Sequence, residues 1–162
     1  MRYKAFQDDQ KVNCLIMGTA PLQRFMEAQQ SDYAIALEEV RKGRKRTHWM
    51  WYIFPQLKGL GVSTTSQYYG IKDMEEAKAY LDDPVLGYRV VHICQELIKL
   101  DSTNATLIFG SPDDMKLRSS MTLFSAVQSA DPVFLQVLRK YFGGDPDLKT
   151  LQMISGEAGH RT

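Results

Sequence analysis

Hydrophobic residues recur along the chain at steps of three and four positions, which is the spacing of one face of an α-helix. This pattern predicts a central helix over 84–100, a comparably long helix over 112–130 and a third helix over 133–142. The apolar stripes consist of Leu86, Val90, Ile93, Cys94 and Leu97, then of Leu117, Met121, Phe124 and Val127, and then of Val133, Phe134, Val137, Leu138, Tyr141 and Phe142. Two glycines after position 142 are a typical end for the third helix.

Prolines and capping residues predict where further helices begin. Proline suits the first helical position because its missing N–H would have no partner there, and most prolines of this chain precede apolar residues at helical spacing. We expect two short helices over 21–30 and 32–42, paired as a hairpin and ended by Gly43. A capping box formed by Asp73 and Glu76 predicts another start, and 146–154 is the last predicted helix.

The predicted fold is mainly α: a compact single-domain bundle of about seven to eight short and medium helices. Alternation with a period of two residues, which would indicate strands, is nowhere sustained. The apolar run 49–54 fits either an extended segment or a short 3₁₀ piece. We expect residues 1–18 to form a flexible N-terminal extension, 19–155 a single helical domain, and 156–162 a frayed tail.

Composition narrows the class of protein without naming a function. The chain has 162 residues, 44% of them hydrophobic and 24% charged, so it should fold, and a net charge of +1 excludes a globally basic nucleic-acid coat. Two cysteines, neither in a C-x-x-C motif, and no apolar run long enough to span a membrane lead us to expect a cytoplasmic protein. The histidines are far apart and metal-binding motifs are missing, so we expect neither a metal nor a cofactor.

Candidate chemistry is concentrated in a basic run followed by aromatic residues. Arg41–Arg46 carries five positive charges, and His48, Trp49 and Trp51 follow almost at once. Cations beside stacking rings suit phosphates attached to bases. Alternatively, the cations complement the C-terminal dipole of the preceding helix and the rings belong to the core. His48 fits a general acid or base only if an orienting partner lies within reach, and otherwise is structural.

Two further segments admit a functional and a structural interpretation. Gly59-Leu-Gly61 before Ser63 resembles a turn that cradles phosphate, but an ordinary serine N-cap explains it as well, and we favour the N-cap. On the helix over 112–130, helical spacing puts Asp113, Lys116 and Ser120 beside the apolar stripe. These polar groups need partners, so they form an internal network or line a pocket, and the two alternatives are equally supported. Asp113 and Asp114 also suit the helix dipole.

Several of these segments together resemble a known family, the bacterial and fungal domain of unknown function 1810. The similarity covers roughly 22–154 and is carried by RF at 24–25, AQ at 28–29, GRKRTHWMWYIFPQ at 43–56, GLG at 59–61, EAKAYL at 76–81, PVLG at 84–87 and IFGSPDDMKLRSSMTLF at 108–124. The resemblance implies a mainly helical fold and no particular reaction. Some relatives are labelled calpastatin, but that inhibitor is disordered and this composition is that of a folded domain, so we reject the label.

The shared segments contain more polar and aromatic residues than a core needs, which suggests one pocket between 44–56 and the start of the helix at Pro112. In this hypothesis the pocket binds a small phosphate-bearing ligand such as a nucleotide. If the site is catalytic, His48 and Asp113 are its acid–base pair and the reaction is hydrolysis or group transfer. The other lining residues are Arg44, Lys45 and Lys116 for the anion, Trp49 or Trp51 for stacking, and Gln56, Ser119 and Ser120.

Two alternatives stay open at this point. An adaptor module would use the aromatic patch Trp49–Tyr52 to bind a protein partner, which requires the patch to be exposed. Nucleic-acid binding would use Arg41–Arg46 and would weaken steeply with added salt. The sequence does not indicate the oligomeric state.

Overall fold

The structure, a computed structural model, describes residues 20–159, and within that range the chain forms nine α-helices and no β-strand. The mainly α prediction is therefore confirmed. The helices are α1 (Ala20–Arg41), α2 (Met50–Ile53), α3 (Thr64–Tyr69), α4 (Met74–Asp82), α5 (Leu86–Lys99), α6 (Ala105–Phe109), α7 (Asp113–Ser125), α8 (Val133–Phe142) and α9 (Leu148–Gly159). None of these nine helices is both long and apolar enough to cross a membrane.

Predicted caps begin and end several of these helices. The Asp73 side chain accepts a hydrogen bond from the Glu76 amide, and the Ser63 hydroxyl accepts one from the Ser66 amide. The N-cap interpretation of Ser63 is thus confirmed. Gly43 and Gly143, with φ of 75° and 61°, take the left-handed conformation that ends α1 and α8.

Two predicted helix boundaries are wrong. The hairpin of helices 21–30 and 32–42 is one continuous helix, because the buried Gln29 amide donates to the Tyr52 carbonyl at 2.7 Å and to the Tyr80 hydroxyl at 2.9 Å, which fixes the middle of α1 against the core. The long helix expected over 112–130 ends at Ser125, since the chain turns there and Ser129 has a positive φ.

At the C-terminus, the frayed tail expected over 156–162 is helical as far as the structure describes it, because α9 continues to Gly159. The expected extension 1–18 lies outside the described residues. The run 49–54, expected as extended chain or 3₁₀ helix, forms the short helix α2 and its flanking residues. Helix α6 was not predicted at all.

The core is organised around α7, which packs against α4, α6, α8 and α9. Aromatic rings cross this core in contact with one another: Phe25 meets Tyr80 at 5.1 Å, Tyr80 meets Phe124 at 5.3 Å, and Phe124 meets Phe134 at 5.4 Å between centroids. These rings link α1, α4, α7 and α8 into one buried cluster. The first turn of α7 and the loop after α1 are thereby brought to the same region.

Candidate functional site

The loop after α1 is shaped by one buried carboxylate, that of Glu39. Its Oε1 accepts hydrogen bonds from the Arg46 amide at 2.6 Å, the Thr47 amide at 3.0 Å and the Trp49 indole N–H at 3.0 Å, and its Oε2 accepts one from the Thr47 hydroxyl at 2.7 Å. Four donors converge on a side chain that is 8% exposed. The loop therefore has a defined backbone path, which fixes where Arg44 and Lys45 project.

These hydrogen bonds also keep Glu39 charged. Burial by itself would raise the pKa of this carboxyl, but the donors from Arg46, Thr47 and Trp49 outweigh burial and lower the pKa from 4.5 to about 2. Glu39 was not among the site residues predicted from the sequence. Its position three residues after Ala36, on the buried face of α1, was a signal that this glutamate needs internal partners.

Two lysines share one carboxylate beside this loop. Lys45 Nζ lies 2.9 Å from Asp113 Oδ2, and Lys116 Nζ lies 3.2 Å from Asp113 Oδ1. The Lys45 side chain is only 8% exposed, and those of Asp113 and Lys116 are 19% and 23% exposed. We call these three residues the lysine–aspartate cluster, and it carries one more positive than negative charge.

The cluster is joined to the two tryptophans. The Lys45 ammonium lies 5.2 Å from the centre of the Trp49 ring, and the Lys116 ammonium lies 4.9 Å from that of Trp51. Both distances are within the range of a cation–π contact. The segment 44–56 and the start of α7 therefore touch, as the sequence-based hypothesis expected.

Helix α6 contacts both the loop after α1 and the first turn of α7. The Lys45 amide donates to the Ile108 carbonyl at 2.7 Å, and the Thr106 hydroxyl donates to Asp114 Oδ2 at 2.7 Å. Asp114 is thereby turned toward α6, whereas Asp113 is turned toward the lysines. Both carboxylates lie in the first turn of α7, where the helix dipole favours negative charge.

An open cleft of about 460 Å³ lies between the loop and α6. We call it the α6 cleft. Its walls are Arg44 and Lys45 on one side and Thr106, Leu107, Ile108, Phe109 and Gly110 on the other. Predicted anion-binding residues therefore line a cavity of ligand size, but their partner wall is the helix that sequence analysis missed.

The other predicted lining residues surround a much smaller cavity. This second cavity has a volume of about 10 Å³, which is room for one water molecule. It is lined by Trp51, Gln56 and Lys116 together with Ser66 and Tyr69. The predicted site residues are thus distributed over two cavities, with Lys45, Asp113 and Lys116 lying between them.

Three predicted ligand contacts are core residues in the structure. Trp49 is 1% exposed and its indole N–H is used by Glu39, so its ring does not face a ligand. The Ser119 hydroxyl donates to the Met115 carbonyl of its own helix at 3.1 Å. Ser120 is fully buried, and its hydroxyl has no hydrogen-bond partner among the described residues. Of the residues for which a pocket or a network was expected, Asp113 and Lys116 join an ion-pair network with Lys45, whereas Ser120 joins neither.

The structure does not form the acid–base pair of His48 and Asp113. His48 is exposed, and within residues 20–159 no hydrogen bond or ion pair links it to Asp113, whose two oxygens face lysines. The exposed patch Trp49–Tyr52 is not formed either. Tyr52 is 8% exposed and its hydroxyl contacts Asp32 and the His48 carbonyl, which leaves only Trp51 half-buried.

The basic run Arg41–Arg46 is partly neutralised. Arg41 lies 3.6 Å from Glu96, Lys42 lies 3.6 Å from Glu38, and Lys45 pairs with Asp113. Within the described part of the chain, Arg44 and Arg46 are exposed and form no ion pair. Two unpaired arginines provide little positive charge for binding a nucleic acid, because such binding normally uses many phosphate contacts.

Comparison with known proteins gives a family and a fold. The model of a family described as "Protein of unknown function (DUF1810)" matches residues 19–154. A crystal structure of the conserved hypothetical protein Rv1873 from Mycobacterium tuberculosis is similar, with a TM-score of 0.81 and 45% sequence identity over 83% of this chain and 96% of that chain. No match was found among curated proteins.

Proposed function

Since the chain belongs to the DUF1810 family, whose description names no activity, we propose from the site itself that it binds a small phosphate-bearing ligand in the α6 cleft. Arg44 and Lys45 hold the phosphate, and Asp113 with Lys116 positions Lys45 from behind. The observation that carries the proposal is the lysine–aspartate cluster, in which one carboxylate serves two ammonium groups.

The excess charge of this cluster supports an anionic ligand. An ammonium group that is taken out of water needs compensating partners, because its desolvation costs several kcal/mol or more. Lys45 is nearly buried, and among the described residues its one ionic partner, Asp113, is shared with Lys116. A bound phosphate beside Lys45 supplies the missing negative charge, and the guanidinium of Arg44 is suited to hold phosphate through two parallel hydrogen bonds.

The cleft suits a ligand that is larger than phosphate alone. Its volume of about 460 Å³ falls within the range of ordinary small-molecule sites. The side chain of Leu107 is 71% exposed and gives the outer wall an apolar surface, while Thr106 adds a hydroxyl. A sugar or a base can occupy this wall while its phosphate meets the cations.

The arrangement favours binding over turnover. A general base needs a partner that orients it, and His48 has none among the described residues. Both carboxylate oxygens of Asp113 are paired with lysines. We therefore propose a ligand-binding protein, and hydrolysis or group transfer is not required by any contact in the cleft.

A thermal-shift titration tests the proposal. We would titrate the protein with pyrophosphate, mononucleotides, dinucleotides, ADP-ribose and sugar phosphates, in low and moderate salt. A ligand that binds only the folded state stabilises it by about 2.7 kcal/mol at a hundredfold excess over Kd, so a saturable rise in Tm is expected. Arg44→Ala should weaken the response, because this side chain lines the cleft.

Arg46→Ala is the matched control, since Arg46 is also an exposed arginine, lies two positions away and does not line the α6 cleft. An equal loss in both variants would mean that charge alone attracts the ligand and would contradict a defined site. No rise in Tm for any compound would refute the proposal. A response to oligonucleotides alone, falling steeply with salt, would replace it with nucleic-acid binding.

A further inference from the structure

A groove of about 420 Å³ lies between α5 and the loop that joins α7 to α8, and it shares no residue with the α6 cleft. Its floor is apolar and contains the buried side chains of Val127 and Phe134. Exposed or half-buried polar side chains form its two walls. We call it the α5 groove.

One wall of the α5 groove carries two stacked rings. Tyr88 and His92, one helical turn apart on α5, lie with their planes within 9° of parallel and their centroids 5.6 Å apart. Tyr88 is 66% exposed although most of its surface is apolar ring. An exposed ring that is already held in a fixed plane is a suitable platform for stacking a further planar group.

The opposite wall contains a strained residue. Ser129 has φ of 63°, and it is the only residue other than glycine with a positive φ within 20–159. Glycine adopts this conformation without strain, whereas serine does not. The Ser129 side chain makes no hydrogen bond to any described residue, so no internal contact accounts for a serine at this position.

Polar and charged groups define the chemistry that the groove accepts. The side chains of Gln95 and Gln128 line it, are exposed, and are free to donate and accept hydrogen bonds. Its charged lining residues are Asp82 and Asp131, and no lysine or arginine of the part of the chain that the structure describes lines it. A phosphate is therefore disfavoured here, in contrast to the α6 cleft.

We propose that the α5 groove binds an uncharged planar heteroaromatic compound of the nucleobase or nucleoside class. Its ring stacks on Tyr88, the amides of Gln95 and Gln128 bond to its polar edge, and the Ser129 hydroxyl supplies a further hydrogen bond. In this proposal, serine rather than glycine occupies the strained position 129 because its hydroxyl binds the ligand.

The test is a titration of the ¹⁵N-labelled protein with adenosine, guanosine, cytidine and uridine, followed through backbone amide signals. At least one nucleoside should shift signals of 88–95 and 128–131 in a saturable way. Tyr88→Ala should raise Kd by about five- to a hundredfold, as expected for loss of one base–aromatic stack. Tyr88→Phe keeps the ring and should retain most of the affinity. Tyr68→Ala, which removes another exposed tyrosine outside the groove, should leave Kd unchanged.

Ser129→Gly separates a binding role from a structural one. Glycine relieves the backbone strain, so Tm should rise, while loss of the hydroxyl should raise Kd by about two- to tenfold. A rise in Tm with an unchanged Kd would overturn the role of Ser129. Absence of saturable shifts with all four nucleosides up to several millimolar, or an equal effect of Tyr68→Ala and Tyr88→Ala, would overturn the site itself.

Discussion

Replacing Glu39 by glutamine removes the charge on which four hydrogen-bond donors of the loop after α1 converge. The substitution keeps the size of the side chain, but one of its two oxygens becomes an amide group that faces donors instead of accepting from them. We therefore expect Glu39→Gln to destabilise the folded protein and to loosen the loop that positions Arg44 and Lys45.

The expected magnitude follows from the pKa of Glu39. Folding lowers this pKa from 4.5 to about 2, and because the side chain is 8% exposed, solvent screens its contacts little. At 1.36 kcal/mol for each tenfold change in acidity, the charge contributes about 3 kcal/mol to the free energy of unfolding at pH 7. A lowered folded-state pKa means that this contribution is complete above pH 4.5 and is lost as the pH falls through about 2.

Urea unfolding at pH 7 and pH 3, followed by tryptophan fluorescence, measures the effect. Glu39→Gln should lower the free energy of unfolding by about 3 kcal/mol at pH 7 and by about half as much at pH 3. Glu38→Gln is the control, because within residues 20–159 the one ion pair of the Glu38 side chain is an exposed pair with Lys42, so this change should alter stability by less than about 0.5 kcal/mol. A difference between the Glu39 variant and the wild type that is the same at both pH values would refute the reasoning.

Three further outcomes are expected. Asp113→Asn leaves two ammonium groups without their shared carboxylate and should lower the free energy of unfolding, measured in urea, by about 2 kcal/mol. A loss below about 0.5 kcal/mol would show that the lysine–aspartate cluster does not stabilise the fold. Gly87→Ala would bring a Cβ within 2.1 Å of the Leu81 carbonyl oxygen and should lower Tm, whereas Gly156→Ala, in open space on α9, should preserve or raise it. Burial raises the pKa of the Cys94 thiol, so in a variant whose other cysteine is serine, a thiol reagent should label only the unfolded protein.

Helix ends that depend on local chemistry were predictable from the sequence, and those that depend on tertiary contacts were not. Asp73 and Ser63 cap their helices through bonds to residues three positions away, so the signal lies in the sequence itself. Two helices, separated at Ser31, were predicted where α1 is continuous, because the buried contacts of Gln29 that hold this part of α1 against the core cannot be read from the sequence. Asn104, whose side chain caps α6, was a usable signal that the five-residue helix exists.

The candidate site was predictable to the level of segments. Bringing 44–56 against the start of α7 needed only the shared surplus of polar and aromatic residues. Which of these side chains are buried could be determined only from the structure. Trp49 is buried and donates its indole N–H to Glu39, whereas Trp51, two positions later, is half-buried beneath Lys116. The wall of the α6 cleft that α6 forms was not predicted, because that helix itself was not predicted.

Helix α7 exposes no face over six consecutive residues, Ser119–Phe124, all of which are buried. Amide protons in such a helix exchange with solvent only when the surrounding helices separate, because no local opening uncovers them. Deuterium uptake by a peptide covering 119–124 therefore measures the free energy of opening the entire core, in native buffer and without denaturant. Exchange in α3, in which no residue is buried, reports local openings instead.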